Sequence, residues 1–206
     1  MSRFTFLIDT YDSERLKTLG VWSQVPDERM QFRPEPRARS PLEHMVHQCV
    51  SEDTWMRTML SICVSRSPLP PEETRVAFLE HYAACSAERL ACLVGQPDAW
   101  FDEPTPFFDV VRSRAWVLTR RVTHSAHHRG QLTVYLRLWG QSLYSTYGPT
   151  ADTGGLFQNG ARVIYRYRSL EELLEQKSDD APPLPGVGGE PVTERPAGGT
   201  GRRGTV

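Results

Sequence analysis

No two cysteines stand in a CxxC spacing and neither sign of charge prevails. No stretch approaches the roughly 18 uninterrupted apolar residues of a membrane span. Each absence closes a class of function. The 24 Lys and Arg offset 25 Asp and Glu, for a net charge of −1. The basic excess that draws a protein to nucleic acid is therefore missing. The opening residues, MSRFTFLIDTYDSERLK, carry early acids and no signal-peptide pattern. The four cysteines, Cys49, Cys63, Cys85 and Cys92, lie in apolar, helix-like segments. They read as buried free thiols in a reducing compartment rather than as disulfides or metal ligands. A cytoplasmic protein is expected, with no nucleic-acid and no membrane partner.

Hydrophobic residues make up 39% of the 206, a low share whose deficit is local. From Asp179 onward the chain holds seven Gly, five Pro and only six apolar residues. Residues 179–206 are expected to form a disordered Gly/Pro-rich tail. What precedes it is ordinary for one globular domain with an appendage.

Proline and glycine cut that remainder into long pieces. Helix-length segments run from about Phe6 to Gly20 or Trp22, from Ser40-Pro41 to about Cys63, from Glu72-Glu73 to Leu93, and from about Phe108 to Trp139. Ser-Pro is a favourable N-cap and first-turn pair, paired acids suit a helix start, and Gly140 suits a stop. None of the four alternates as a strand does. An all-α four-helix bundle over residues 1–150 is expected. GQPDAWFDEPTPF reads as a loop before the fourth helix. An appendage follows over residues 151–178. In it Ala161–Tyr167 alternates and predicts a short strand, and Ser169–Lys177 predicts a short helix with a capping box between Ser169 and Glu172.

The chemistry-bearing residues are histidines. Three of the six lie within His124-Ser125-Ala126-His127-His128, two more are His44 and His47, and His81 stands alone. A lone histidine such as His81 reads as a satisfied polar residue. His124 and His128, at i and i+4 on a helix, point to one face and can share a metal. A zinc peptidase would carry Glu directly after the first histidine, and Ser125 stands there instead. By helical phase His124 and His128 meet the apolar face of Val117, Leu118, Leu132, Tyr135, Leu136 and Trp139, while His127 points outward. A third ligand is expected from His44 or His47. Phase does not choose between them, because apolar residues surround most of that helix. Glu52 is a candidate to accept a hydrogen bond from a ligating histidine. Trp55, Trp116, Trp139 and Tyr135 read as core aromatics, and Gly130 as a site of close helix packing.

Two stretches carry a family resemblance. SPLEHMVHQCVSEDTW resembles the second helix of the DinB/YfiT-like metalloprotein superfamily, with Ser40, His47, Glu52 and Trp55 in register. THSAHHRGQLTVYLRLWG resembles that family's fourth-helix signature, H-x-x-x-H-R-G-Q followed by an aromatic, Leu-Arg and Gly. His124, His128, Arg129, Gly130, Gln131, Tyr135, Leu136, Arg137 and Gly140 match it. The resemblance covers about residues 5–150 and leaves the rest unexplained.

The resemblance selects His47 over His44. It implies a three-histidine metal site, His47, His124 and His128, inside an up-down-down-up four-helix bundle, and a homodimer. Glu52, Arg129 and Gln131 are the candidates for supporting that site from behind. Three imidazoles leave a divalent ion open positions, as catalytic sites do. Zinc is the first choice, and nickel, iron, manganese or cobalt also fit three imidazoles. The family's chemistry implies a metal-dependent thiol S-transferase or related detoxification enzyme. Its co-substrate would be a low-molecular-weight thiol such as bacillithiol, mycothiol or glutathione, and its substrate a small molecule. A metal-dependent hydrolase, or a non-catalytic metal-binding stress protein, is the alternative. The four cysteines have no part in either. Replacing all four with Ala or Ser is expected to leave metal stoichiometry intact by elemental analysis, and loss of metal would refute the all-histidine site.

Overall fold

Ser40 stops the chain in extended backbone and caps the helix that follows. Its Oγ accepts from the Glu43 N–H at 3.3 Å, and the Glu43 carboxylate accepts from the Ser40 N–H at 2.8 Å. This reciprocal box satisfies two donors that a helix start leaves unpaired. Pro41, at the first helical position, has no N–H to leave unpaired. The helix it opens is the second of four long ones in the computed structural model, which describes residues 2–175 and 181–186. These are α1 (Thr5–Trp22), α2 (Pro41–Met59), α3 (Arg75–Val94) and α5 (Arg114–Leu138). Between α3 and α5 lie a short helix α4 (Asp98–Asp102) and the strands β1 (Pro104–Phe107) and β2 (Val110–Ser113). A last short helix, α6, spans Leu170–Glu175. No described helix is long and apolar enough to cross a membrane.

α1 packs against α3 and α5, and α2 packs against the same two. Apolar side chains from these helices and from α4 meet in one buried cluster that includes Leu7, Met56, Leu60, Leu93, Phe101 and Leu118. Burying such side chains contributes about 1.5–3 kcal/mol each.

The segment boundaries differ from the sequence expectation where local chemistry competes. α3 begins at Arg75 rather than at Glu72, because the Thr74 hydroxyl accepts from the Ala77 N–H at 3.2 Å and sets the cap. α2 ends at Met59, short of Cys63, and Ser61 turns the chain at φ +56°. The expected loop before the fourth long helix holds α4 and β1. That helix begins at Arg114 rather than at Phe108, because Val110–Ser113 pairs antiparallel with Pro104–Phe107. The β-branched Val110 and Val111 favour the strand, and the Ser113 hydroxyl then caps α5 by accepting from the Trp116 N–H at 3.2 Å. At the other end Gly140 takes φ +71° and turns the chain away after α5.

The described residues divide into two compact units. Residues 2–141, 167–175 and 181 form the first, and 142–166 with 182–186 form the second. In the second, the Leu143 N–H donates to the buried Asp152 carboxylate at 2.8 Å, and the Ser145 N–H donates to the Ile164 carbonyl at 2.8 Å. Residues 161–167 form no strand. Their alternation reflects single contacts such as this one, with no ladder to join. Gly154, at φ +106°, brings the chain close enough to Ala161 that a Cβ would sit 3.4 Å from it. The short helix expected after Ser169 is α6, with the Ser169 hydroxyl accepting from the Glu172 N–H at 3.2 Å. Of the Gly/Pro-rich tail, residues 181–186 are described. The Tyr144 hydroxyl donates to the Pro182 carbonyl at 2.8 Å, and Gly186 pairs with Thr153. The rest of that tail lies outside the described residues.

Buried Arg129 ties α5 to α1. One guanidinium nitrogen donates to the Thr18 hydroxyl at 3.1 Å and to the Glu14 carbonyl at 3.2 Å, and the other pairs with the Glu14 carboxylate. Lys17 also reaches that carboxylate, at 2.7 Å. Arg129→Met removes the charge-assisted bonds from α5 to Glu14 and Thr18 while Lys17 still pairs with Glu14, and is expected to cost about 2 kcal/mol, read as a lower urea midpoint. A cost below about 1 kcal/mol, the scale of an exposed ion pair, would contradict the role given to this pair.

Candidate metal centre

An α-helix returns to the same face after one turn, so His124 and His128 stand one above the other on α5. α2 packs beside that face and brings His47 to it. The His47 Nε2 lies 3.4 Å from the His124 Nε2, and the His128 Nε2 lies 3.2 Å from the same atom. All three ligand atoms fall within 4.8 Å of one another. Tetrahedral zinc with Zn–N bonds of 2.0–2.1 Å would separate its nitrogens by about 3.3 Å. Two of the three separations are already of that size, so the donor set fits a divalent ion. Among the described residues no fourth His, Cys, Asp or Glu joins the group.

Protonation favours the same use. The His128 Nδ1–H donates to the Gln131 Oε1 at 2.9 Å, which fixes the tautomer and leaves the Nε2 lone pair facing its neighbours. Burial pushes His128 down to about 4 and His124 to about 3, and the Arg121 guanidinium and the neighbouring imidazole add to the shift at His124. His47 is lowered too, by burial first and then by Arg39 and Arg121. Neutral imidazoles are the ligating form.

The other expected residues fall in distinct places. His44 is only 2% exposed, its ring 5.3 Å from that of His128 and 5.9 Å from that of Tyr135. It packs behind His128 and does not join the cluster of three. His127 is exposed, as its phase predicts. His81 stands 3.3 Å from the Pro68 carbonyl and serves as a satisfied polar residue. Gln131 supports His128 directly. Glu52 has its partners elsewhere than expected: it accepts from the Tyr11 hydroxyl at 2.7 Å, the Tyr82 hydroxyl at 2.9 Å and Arg89 at 3.4 Å. Arg129 is bound to α1 as described. Gly130 is exposed, and a Cβ there would meet nothing within 4 Å, so helix packing does not require it. All four cysteines are free; Cys49 and Cys85 are buried, with thiols pushed upward by burial, whereas Cys63 is exposed.

Sequence reasoning missed Arg121. Its side chain is buried, donates to the Ser51 hydroxyl at 2.8 Å and the Ser125 hydroxyl at 2.9 Å, and lies 3.8 Å from Glu52. Ser51 is one turn past His47 and Ser125 adjoins His124, so Arg121 clamps the two ligand-bearing helices together. An arginine one turn before His124, on the same helical face as His128, was the available signal. Trp116 departs from its expected core position, whereas Trp55 packs against the core cluster. Trp55 is half-buried with its ring 5.4 Å from that of His124, and Trp116 is 40% exposed.

A sequence profile of the DinB family matches residues 1–155. The chain belongs to the DinB family. Among solved structures, a DinB-like protein of Bacillus cereus is similar at 17% identity and a TM-score of 0.60, over 68% of this chain and 95% of its own. A DinB-like protein of Bacillus subtilis is similar at 16% identity and a TM-score of 0.55, over 66% of this chain and 94% of its own. At these identities the likeness is one of fold. No curated protein matches the chain.

The depressed histidines couple the metal-free DinB-family chain to pH. Unfolded imidazoles titrate near about 6.5, whereas His44 and His128 in the fold titrate near about 4 and His124 near about 3. The unfolded state then binds more protons below pH about 6.5, and stability falls as pH drops through that window. His124→Gln is expected to flatten the slope of unfolding free energy against pH between about 6.5 and 4. An unchanged slope would refute the coupling.

Proposed function

We propose that this chain is a metal-dependent thiol S-transferase or a closely related detoxification enzyme. Its site is His47, His124 and His128, set inside an up-down-down-up four-helix bundle that pairs as a homodimer. The observation that carries the reading is the convergence of three neutral Nε2 atoms with no fourth protein ligand among the described residues. Structural zinc sites close with four protein ligands, whereas catalytic sites keep a position open. Zinc is the first choice of metal, and nickel, iron, manganese or cobalt share the preference for imidazole. Bacillithiol, mycothiol or glutathione is the co-substrate class. A bound divalent ion supplies Lewis acidity, which lowers the pKa of a coordinated thiol toward neutrality.

The protein's own groups prepare that chemistry. Gln131 holds the His128 proton at Nδ1 and so aims Nε2 inward. Arg121 keeps α2 and α5 in register through Ser51 and Ser125, and its charge disfavours protonation of His124 and His47. His44 packs buried against His128 behind the site.

Metal content and turnover test this together. His47→Ala is expected to lose stoichiometric metal, while His44→Ala and His127→Ala keep it. Wild-type protein is expected to conjugate a low-molecular-weight thiol to a chloronitrobenzene electrophile, and His124→Ala to lose that activity. Loss of metal in His44→Ala with retention in His47→Ala would overturn the ligand set. Tight metal binding with ester hydrolysis alone, or with no turnover on any thiol or ester, would overturn the S-transferase reading.

A further inference from the structure

The β1–β2 hairpin turns on Phe108, a residue out of place by the usual rules. Its φ is +53°, in the left-handed region that bulky side chains avoid and where hairpin turns favour Gly or Asn. It is also 71% exposed, the highest value among the exposed large hydrophobics of the described residues. Neither local propensity nor burial accounts for a phenylalanine there, and strain of this kind gathers at functional sites.

Phe108 does have a place in a row of rings. Its centroid lies 4.8 Å from that of Phe107 and 6.1 Å from that of Trp55, both in edge contact. Phe107 stands 5.2 Å from Trp55 and 4.9 Å from Trp116. Trp55 in turn lies 5.4 Å from the His124 ring, tilted by 33°. Phe107 and Trp55 are half-buried on the rim of the core. The row therefore runs from solvent, at the tip of the hairpin, to a metal ligand.

We infer that Trp55, Phe107 and Phe108 form the wall of a substrate subsite. It takes the apolar, ring-sized part of the small electrophile and holds it on the His124 side of the metal centre. This rests on the reading of the three histidines as a catalytic metal site. Aromatic faces and edges recognise flat apolar groups by offset and edge contacts, and low-molecular-weight thiols are too polar to need such a wall. The row leads inward to His124, a direction that suits a small ligand. A second copy of the chain would cover the outer face of the hairpin, where Val111 is exposed, and would gain nothing from the inner rings.

Benzyl alcohol is the probe, followed by aromatic-region NMR of the full-length chain, both zinc-supplemented and metal-free. Shifts are expected at Trp55, Phe107 and Phe108, with none on adding glycerol at the same concentration. Phe108→Gly and Phe108→Asn both suit φ +53° and are expected to keep the wild-type melting temperature. Each should weaken benzyl alcohol binding by about 2- to 10-fold, the loss of one ring contact. Absence of shifts at these three residues, or equal binding by wild type and both variants, would overturn the subsite. So would concentration-dependent shifts of the same resonances without ligand, abolished by Phe108→Gly, since a second copy would then cover the hairpin. Because the metal-free protein is read as well, a failure to bind zinc or to turn over thiols sinks the proposed activity without deciding this result.

Discussion

One buried carboxylate holds the four long helices in register. Glu52, on α2, is 1% exposed. It accepts from Tyr11 of α1 and Tyr82 of α3, and lies beside Arg89 of α3 and Arg121 of α5. An unpaired carboxylate at such depth would cost several kcal/mol, and hydroxyl donors and guanidinium groups from the other three long helices surround this one. The tyrosines answer to it: burial and then the Glu52 charge raise both hydroxyls well above their usual range, and both act as donors. Asp53 adds a second contact to Arg89 at 3.5 Å. Hydrophobic burial drives the helices together without direction, and this network selects how they face.

The three-histidine cluster inherits that register. Arg121 lies beside Glu52 and, through Ser51 and Ser125, spans the two helices that carry His47, His124 and His128. The three Nε2 atoms converge because the helices are held, and the imidazoles stay neutral because they are part-buried beside a fixed cation. Ligand atoms already brought together would lose little on binding a divalent ion, the general advantage of preorganisation. The family match and the two solved DinB-like structures establish the fold in which this occurs, while the chemistry is argued from these side chains.

Much of this was legible in the sequence, and the gaps have physical causes. Pro41, Gly140 and the long apolar periods marked the helices because backbone chemistry at those positions is local. The H-x-x-x-H spacing on α5 was equally plain, being fixed by helical pitch. His47 could not be told from His44 by phase, because α2 is enclosed on most sides and both face protein; the family register made the choice. Glu52 was expected beside a histidine and instead bonds residues 41 and 30 positions away, pairings that no local pattern encodes. The β1–β2 hairpin was hidden in a proline-containing loop, since four-residue strands carry too short a period to read. The alternation at 161–167 misled for the complementary reason: period two without a partner makes no sheet.

Anomalous diffraction at the zinc edge, from crystals of the zinc-supplemented full-length chain, addresses the central claim most directly. One strong peak is predicted within bonding distance of the Nε2 atoms of His47, His124 and His128, with no fourth protein ligand. A peak held by His44 or by a cysteine, or no peak between these three imidazoles, would contradict it.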